Sequence, residues 1–263
     1  MIYITGDVHG DIDIHKLSSE EFPEGKELTR RDYVIICGDF GLVWDDSSEE
    51  KWWHRWLDKK PWTTVWIDGN HENFDLLNEY DIVEWHGAQA QFITGNIIHI
   101  MRGSVFELDG VTFFAFGGAE SHDKERRVAG LSWWPEEMPS ENEMEAGRKA
   151  LDAAGWKVDI VISHTLPGTI QEKVFKDEYP QNALNRYFDE IAEKLDFRFW
   201  FSGHYHLSTV INEKYIIIYR AIAELTDSGY IVVREDEMNK MISFDDLSDE
   251  DFDYLMYLEE DEE

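Results

Sequence analysis

Asp7 and His9 stand two residues apart in Gly6-Asp7-Val8-His9-Gly10, directly after the apolar run Ile2-Tyr3-Ile4-Thr5. The same grammar recurs along the chain. Tyr33-Val34-Ile35-Ile36-Cys37 leads into Gly38-Asp39, and Thr64-Val65-Trp66-Ile67 leads into Asp68-Gly69-Asn70-His71-Glu72. Residues 158–162 lead into Ser163-His164, and residues 197–201 lead into Ser202-Gly203-His204-Tyr205-His206. Carboxylate, imidazole and amide oxygen suit Mn²⁺ first, and also Fe, Zn, Ni or Co, with no soft thiolate cage among them. A lone Asp-x-His or Gly-Asp is an ordinary turn. Five strand-like runs that each end in such residues are a different case, because sites in layered α/β proteins gather at the carboxyl ends of strands. The adjoining glycines permit tight turns and close backbone approach. His54, His86 and His99 fall outside this order and read as surface or core histidines.

The elements between these blocks alternate as strand, loop and helix, which predicts α/β layers with buried strands. Helices are expected over 48–58 and 73–78. The runs 97–100, 104–108 and 112–116 read as consecutive antiparallel strands, with Asp109-Gly110 as a hairpin turn. A helix is expected over 140–154, with Ser140 and Glu143 placed as a capping box. Residues 210–211, 215–219 and 230–233 complete a second β-rich region.

The ordered blocks from Gly6 to His206 resemble those of the calcineurin-like metallophosphoesterases, over about three quarters of the chain. The resemblance implies a two-sheet β-sandwich flanked by helices, a four-layer αββα fold, around a site for two divalent metal ions. Carried over block by block, Asp7, His9, Asp39 and His206 would hold one ion. Asp39, Asn70, His164 and His204 would hold the other, with Asp39 bridging, and His71 would stand beside the pair without binding metal. The residue types make chemical sense of that assignment. Two ions about 3.5–4 Å apart can share a hydroxide made nucleophilic at neutral pH. Asn70 is a neutral ligand where a third carboxylate would cancel more metal charge, so the loaded pocket stays positive and attracts phosphate. His71 can reach the leaving oxygen as a proton donor or as a stabilising cation. The expected reaction is in-line hydrolysis of a phosphoester, by a phosphodiesterase or nucleotide phosphohydrolase. The phosphoprotein phosphatases follow their second block with Asp-Arg-Gly. This chain has Asp39-Phe40-Gly41 and so lacks that phosphate-binding arginine, although Glu72 after Asn70-His71 is shared with them.

Residues 117–137, which carry Asp123, Lys124, Arg126, Arg127, Trp133, Trp134 and Pro135, resemble a segment of some uncharacterised bacterial and phage members of that family. Arg126 or Arg127 could clamp a phosphate and the tryptophans could wall the pocket; surface ion pairs and tryptophan packing are the plainer reading. Trp44, close after the second block, could line the cleft. Trp52, Trp53 and Trp56 fall at helical spacing and read as core.

The chain has 263 residues, a net charge of −32, 43% apolar and 14% aromatic residues and a single cysteine. That composition supports a packed core and excludes disorder for most of the chain. No apolar run reaches the roughly 18 residues needed to span a bilayer. The lone Cys37 and the lack of signal-peptide features at the start predict a cytoplasmic protein. Acidity disfavours extended nucleic acid and anionic membranes as partners, leaving a small phosphoester, first of all a nucleotide. Residues 235–263 hold fourteen Asp or Glu against one Lys, mixed with aromatic and aliphatic residues. We therefore expect a catalytic domain over 1–234 and an acidic extension over 235–263, either partly docked or a free arm. The alternatives are a nuclease or protein phosphatase on the same fold, and a metal-bearing interaction protein that works through its acidic tail. The sequence does not set the oligomeric state.

Overall fold

Short runs of Ile, Val, Tyr and Phe with few polar interruptions form strands that must be covered on both faces. A computed structural model gives the structure of residues 1–176, 179–235 and, for the backbone alone, 242–243. The first eight strands are β1 (Ile2–Thr5), β2 (Tyr33–Ile36), β3 (Thr63–Trp66), β4 (Ile82–Trp85), β5 (Ala88–Thr94), β6 (Ile97–Ile100), β7 (Ser104–Leu108) and β8 (Val111–Phe116). They are followed by β9 (Ile160–Ser163), β10 (Phe199–Ser202), β11 (Thr209–Ile211), β12 (Tyr215–Ile217), β13 (Ile222–Thr226), β14 (Gly229–Arg234) and β15 (Ile242–Ser243). The helices are α1 (Ser48–Asp58), α2 (Phe74–Leu77), α3 (Glu141–Ala153), α4 (Gly168–Phe175) and α5 (Ala183–Lys194).

Two sheets result, an eight-stranded one in the order β14-β13-β1-β2-β3-β6-β5-β4 and a seven-stranded one in the order β15-β11-β12-β10-β9-β8-β7. The centre of each is parallel: β1, β2, β3 and β6 in the first, β8, β9, β10 and β12 in the second. Alternation along each strand divides the core. Ile4, Ile35 and Val65 meet Phe113, Ile160 and Phe201 between the sheets. Their neighbours Tyr3, Val34 and Trp66 face outward onto Phe22, Trp53, Leu57 and Phe74. On the far side, Phe114, Val161 and Trp200 pack under Met144, Leu151, Phe188 and Ile191 of α3 and α5. The expected four-layer α/β architecture is the one observed.

Several elements match expectation, among them α1 over 48–58 and the type I′-like turn at Asp109-Gly110, where φ is +51° and +81°. The three-strand run does not. β6 lies in the eight-stranded sheet between β3 and β5, whereas β7 and β8 form a hairpin in the other sheet. The chain changes sheets at residues 101–103, where Gly103 takes a φ of +77° against the backbone of Gly147. Ile98 and Ile100 fill the space between the sheets, so β6 is held by burial rather than by the strand that follows it. Trp53 is buried as expected of a core residue, but Trp52 is 50% exposed. Hairpin β4–β5, strand β13 and helices α4 and α5 were not foreseen. β5 carries Gln89 and Gln91, and the buried Gln91 donates to the carbonyls of Leu77 and Tyr80 and bonds His99 through its amide oxygen.

Within 235–263, Ile242–Ser243 pair in parallel with β11. Apart from that pairing, the choice between a docked segment and a free arm falls on residues outside the described ones. Among the described residues, no helix is long and apolar enough to cross a membrane.

Ser140 Oγ accepts from Glu143 N–H, and Glu143 reaches back to Ser140 N–H at 2.7 Å, which closes the capping box of α3. Ser140→Ala should lower unfolding free energy by about 1 kcal/mol, read from the urea midpoint, with catalytic constants unchanged.

Candidate metal centre

The parallel strands of both sheets end at a common rim. β1 delivers Asp7 and His9, β2 delivers Asp39, β3 delivers Asn70 and His71, β9 delivers His164, and β10 delivers His204 and His206. His164 joins the two sheets. Its Nδ1 donates to the Cys37 carbonyl at 2.8 Å and lies 3.4 Å from Asp7 Oδ1, while Nε2 lies 3.1 Å from Asp39 Oδ1. Asp7 accepts from His204 N–H at 3.1 Å. Asp39 Oδ1 accepts from the N–H groups of Asn70 and His71 at 2.8 and 2.9 Å, and its Oδ2 is 3.3 Å from His9 Nε2.

The backbone carries strain to achieve this. His9, Asp39, His204 and His206 all take positive φ, between +43° and +74°. Non-glycine residues in that region cluster where surrounding structure over-determines them, above all at functional sites. The glycines act through space as well: a Cβ on Gly38 would collide with the His164 ring, and one on Gly69 with the Asp39 carboxylate.

Three overlapping groups have ligand atoms within 4.8 Å of one another: Asp7 with His9 and His206; His9 with Asp39 and His71; and Asp7 with Asp39 and His164. Asp7, His9, Asp39, His71, His164 and His206 thus lie at one place, with Asn70 Oδ1 3.2 Å from His164 Nε2. Three details differ from the carried-over partition. Asp7 and His9, as well as Asp39, are each shared between two groups, and His71 stands within ligand reach of His9 and Asp39. His204 falls outside these groupings, with its ring 5.0 Å from that of His164 and stacked at 5.5 Å on His122.

The donor chemistry fits a cation. With Nδ1–H committed to Cys37, His164 Nε2 can face Asp39 Oδ1 and, at 3.2 Å, Asn70 Oδ1 without repulsion only when a proton or a cation stands between them. His9 Nε2 is buried with no hydrogen bond, although Asp39 Oδ2 is near. Two carboxylates within 4.8 Å repel by about 3–4 kcal/mol at an effective dielectric of about 20. Positive charge at this spot relieves all of these conflicts together.

The imidazoles register the same field. Burial opposes charge on His164, but Asp39 and Asp7 outweigh it and hold its pKa up to about 9. Burial likewise opposes charge on His9, yet Asp13 and Asp39 raise it to about 10. His71 goes the other way: burial, only partly offset by Asp39, pushes it down to about 4, and the nearby Arg127 charge adds to that.

Some contributors were not visible in the sequence. Asp13 accepts from His9 Nδ1 at 3.0 Å and is itself held by Tyr219 Oη at 3.1 Å and Arg220 Nε at 2.9 Å. A carboxylate behind a ligating imidazole fixes its tautomer and ring plane. Lys16 is buried and donates to the carbonyls of Gly6, Asp7 and Tyr219 at 3.0, 2.6 and 2.9 Å, which ties the end of β1 to the loop before β13. Glu72, noted beside the Asn-His pair, is fully buried and accepts from Phe40 N–H at 2.7 Å and Gly41 N–H at 3.2 Å. The helical spacing of Asp13 and His9 was the only available signal for the first; nothing in the sequence marks Lys16 for burial.

Among the substrate-binding candidates, Arg126 is exposed, and Arg127 is paired with Asp123 at 2.6 Å, near enough for its charge to act on His71. Trp44 is half-buried, edge-on to Trp134 at 5.3 Å. Trp133 and Trp134 hydrogen-bond Glu137 and Asp75. Phe40 is stacked on Trp66 in the core. His54, His86 and His99 lie elsewhere, bonded to Leu42, Glu107 and the Asp68–Gln91 pair. A cavity of about 200 Å³ opens beside His204, lined by Ser121, His122, Thr165, Tyr179 and Asn182 among others.

A two-sheet sandwich with Asp, Asn and His ligand types on the carboxyl rim defines a metallophosphoesterase, and the calcineurin-like phosphoesterase pattern matches residues 1–208. The chain belongs to that family. Its curated relatives include lariat debranching enzyme A of Xenopus laevis, 22% identical over 78% of this chain and 42% of the relative. The lariat debranching enzymes of Danio rerio and Gallus gallus are each 24% identical over 78% of this chain, and over 40% and 42% of their own lengths. The chain therefore spans about two fifths of the length of the relatives it matches.

Asp13→Ala removes the acceptor that orients His9. It should weaken divalent-metal binding about 10–100-fold, measured by calorimetric titration with Mn²⁺.

Proposed function

We propose that this protein hydrolyses a phosphodiester, in a nucleotide or at the end of a short nucleic acid, with two divalent cations held by Asp7, His9, Asp39, Asn70, His164, His204 and His206. The observation that carries the reading is the convergence of these side chains from five strand ends, with His164 spanning Asp7 and Asp39. Mn²⁺ is the ion we favour, on the oxygen- and imidazole-rich donor set. Bound there, the cations supply Lewis acidity for a phosphoryl oxygen and lower the pKa of water.

The chain's own residues do the rest. Asp39 accepts two backbone N–H bonds on Oδ1, which fixes its plane and leaves Oδ2 toward His9, the placement of a bridging ligand. Asp13 and Cys37 hold the rings of His9 and His164 by their Nδ1 atoms. His71, kept neutral by burial, offers an N–H to the leaving oxygen as a hydrogen-bond donor that stabilises the charge developing there. Arg127, whose charge acts on His71, is our choice over Arg126 for contact with a substrate phosphate, by exchange from Asp123. Trp44 is assigned no more than a place in the wall beside Trp134.

A second reading, a nuclease acting on a branched or looped strand, is supported by relatives named lariat debranching enzymes. The net charge of −32 works against tracking a long backbone but not against a short end. We assign the chemistry to residues 1–234 and treat 235–263 as an acidic extension. The buried single cysteine is in keeping with a reducing cytoplasm.

Chelation should abolish hydrolysis of bis(p-nitrophenyl) phosphate and added Mn²⁺ should restore it, while Asp39→Asn stays inactive under saturating metal. His71→Ala should retain its metal content and lose about 10²–10³-fold in kcat, the range for one preorganised hydrogen-bond donor. Parallel assays on cyclic nucleotides, linear single-stranded RNA and 2′,5′-branched RNA separate the two readings. Retained turnover in Asp39→Asn would remove the shared-metal proposal.

A further inference from the structure

Asn70 presents an amide whose two ends are chemically opposite, and only Oδ1 can ligate a cation. What decides its orientation lies in residues 117–137. Asn70 Nδ2 is 3.3 Å from Ser121 Oγ, and Ser121 Oγ donates to Glu137 Oε2 at 2.7 Å. Glu137 Oε1 accepts from Ser121 N–H at 2.9 Å and Trp133 Nε1–H at 2.6 Å. Glu137 is 1% exposed and Ser121 is 3% exposed.

A hydroxyl carries one proton. Glu137, surrounded by donors, takes the proton of Ser121, so Ser121 can show Asn70 only a lone pair. The donor end of Asn70 must then face Ser121, which leaves Oδ1 on the side of His164 Nε2 at 3.2 Å. We infer that Glu137, acting through Ser121, is a positioning residue that sets the polarity of the Asn70 amide and thereby its competence as a metal ligand. The inference rests on the assignment of Asn70 as a ligand. It also gives Trp133 and the segment around it a task distinct from substrate stacking: holding the carboxylate that sets the hydrogen-bond direction.

The direction can be reversed by one substitution. In Glu137→Gln the amide oxygen stays on the two N–H donors and the new NH₂ faces Ser121. The Ser121 hydroxyl then accepts from that NH₂, and its proton is freed toward Asn70, which favours Oδ1 turned away from the metal side. An Asp at position 70 has two equivalent oxygens, so it accepts that proton with one and keeps the other for the cation.

The test is a double-mutant cycle read by Mn²⁺ calorimetry and electron paramagnetic resonance on the full chain, with circular dichroism confirming fold. Glu137→Gln should raise the Mn²⁺ dissociation constant about 10–100-fold, the usual cost of a lost outer contact to a ligand. The same change made in Asn70→Asp should leave the constant unchanged or lower it. Ser121→Ala, which deletes one oxygen, takes the place of Glu137→Gln in the cycle should that variant not fold. Equal weakening in both backgrounds would mean Glu137 merely holds the loop, and no weakening beside Asn70 would likewise overturn the inference. Asn70→Ala is the control: if it binds Mn²⁺ as wild type does, the ligand assignment itself fails, and the inference with it.

Discussion

Concentrated negative potential at a buried point is the constraint around which the rest of this molecule is arranged. Asp7 and Asp39 sit at 0% and 1% exposure with lone pairs of His9, His164 and Asn70 aimed into the same space. Such a group is unstable without compensating positive charge. The chain supplies part of it through backbone N–H groups of Asn70, His71 and His204, each aimed at a carboxylate oxygen. The remainder is a role for protons or cations, and the raised proton affinities of His9 and His164 express that demand.

Such a centre needs a scaffold that brings several strand ends together, and two face-packed sheets with parallel centres do this. Every block follows a strand whose alternate residues are locked between the sheets or against the outer helices, so the loop positions inherit the rigidity of the core. The positive φ values at His9, Asp39, His204 and His206 show that the last step is not relaxed. Each such residue costs of order 1–3 kcal/mol, a strain that only firmly anchored flanking strands can sustain.

Around these side chains lies a set of residues that control their orientation. Asp13 fixes His9, the Cys37 carbonyl fixes His164, Glu72 fixes the turn after Asp39, and Ser121 faces Asn70. They come from distant parts of the chain. The tryptophan-bearing segment, which by composition alone suggests a stacking surface, is used in large part to build this outer layer.

The sequence by itself determined the layered α/β class, the strand-like runs and the residue types in each block that follows them, because these depend on local periodicity and on motifs a few residues long; the four-layer sandwich came with the family resemblance. It also determined the helix cap at Ser140, whose partner lies three residues away. Tertiary structure alone decided that β6 and β7 lie in different sheets, that Trp52 faces solvent while Trp53 does not, and that Lys16 is buried under three carbonyls. It alone decided that Asp7 and His9 are each shared between groups, and that Ser121, held by Glu137, reaches Asn70 from 51 residues away. The reason is physical: backbone propensity and turn chemistry act between neighbours, whereas sheet assignment, burial and hydrogen-bond direction are set by whatever the completed fold brings within about 3 Å.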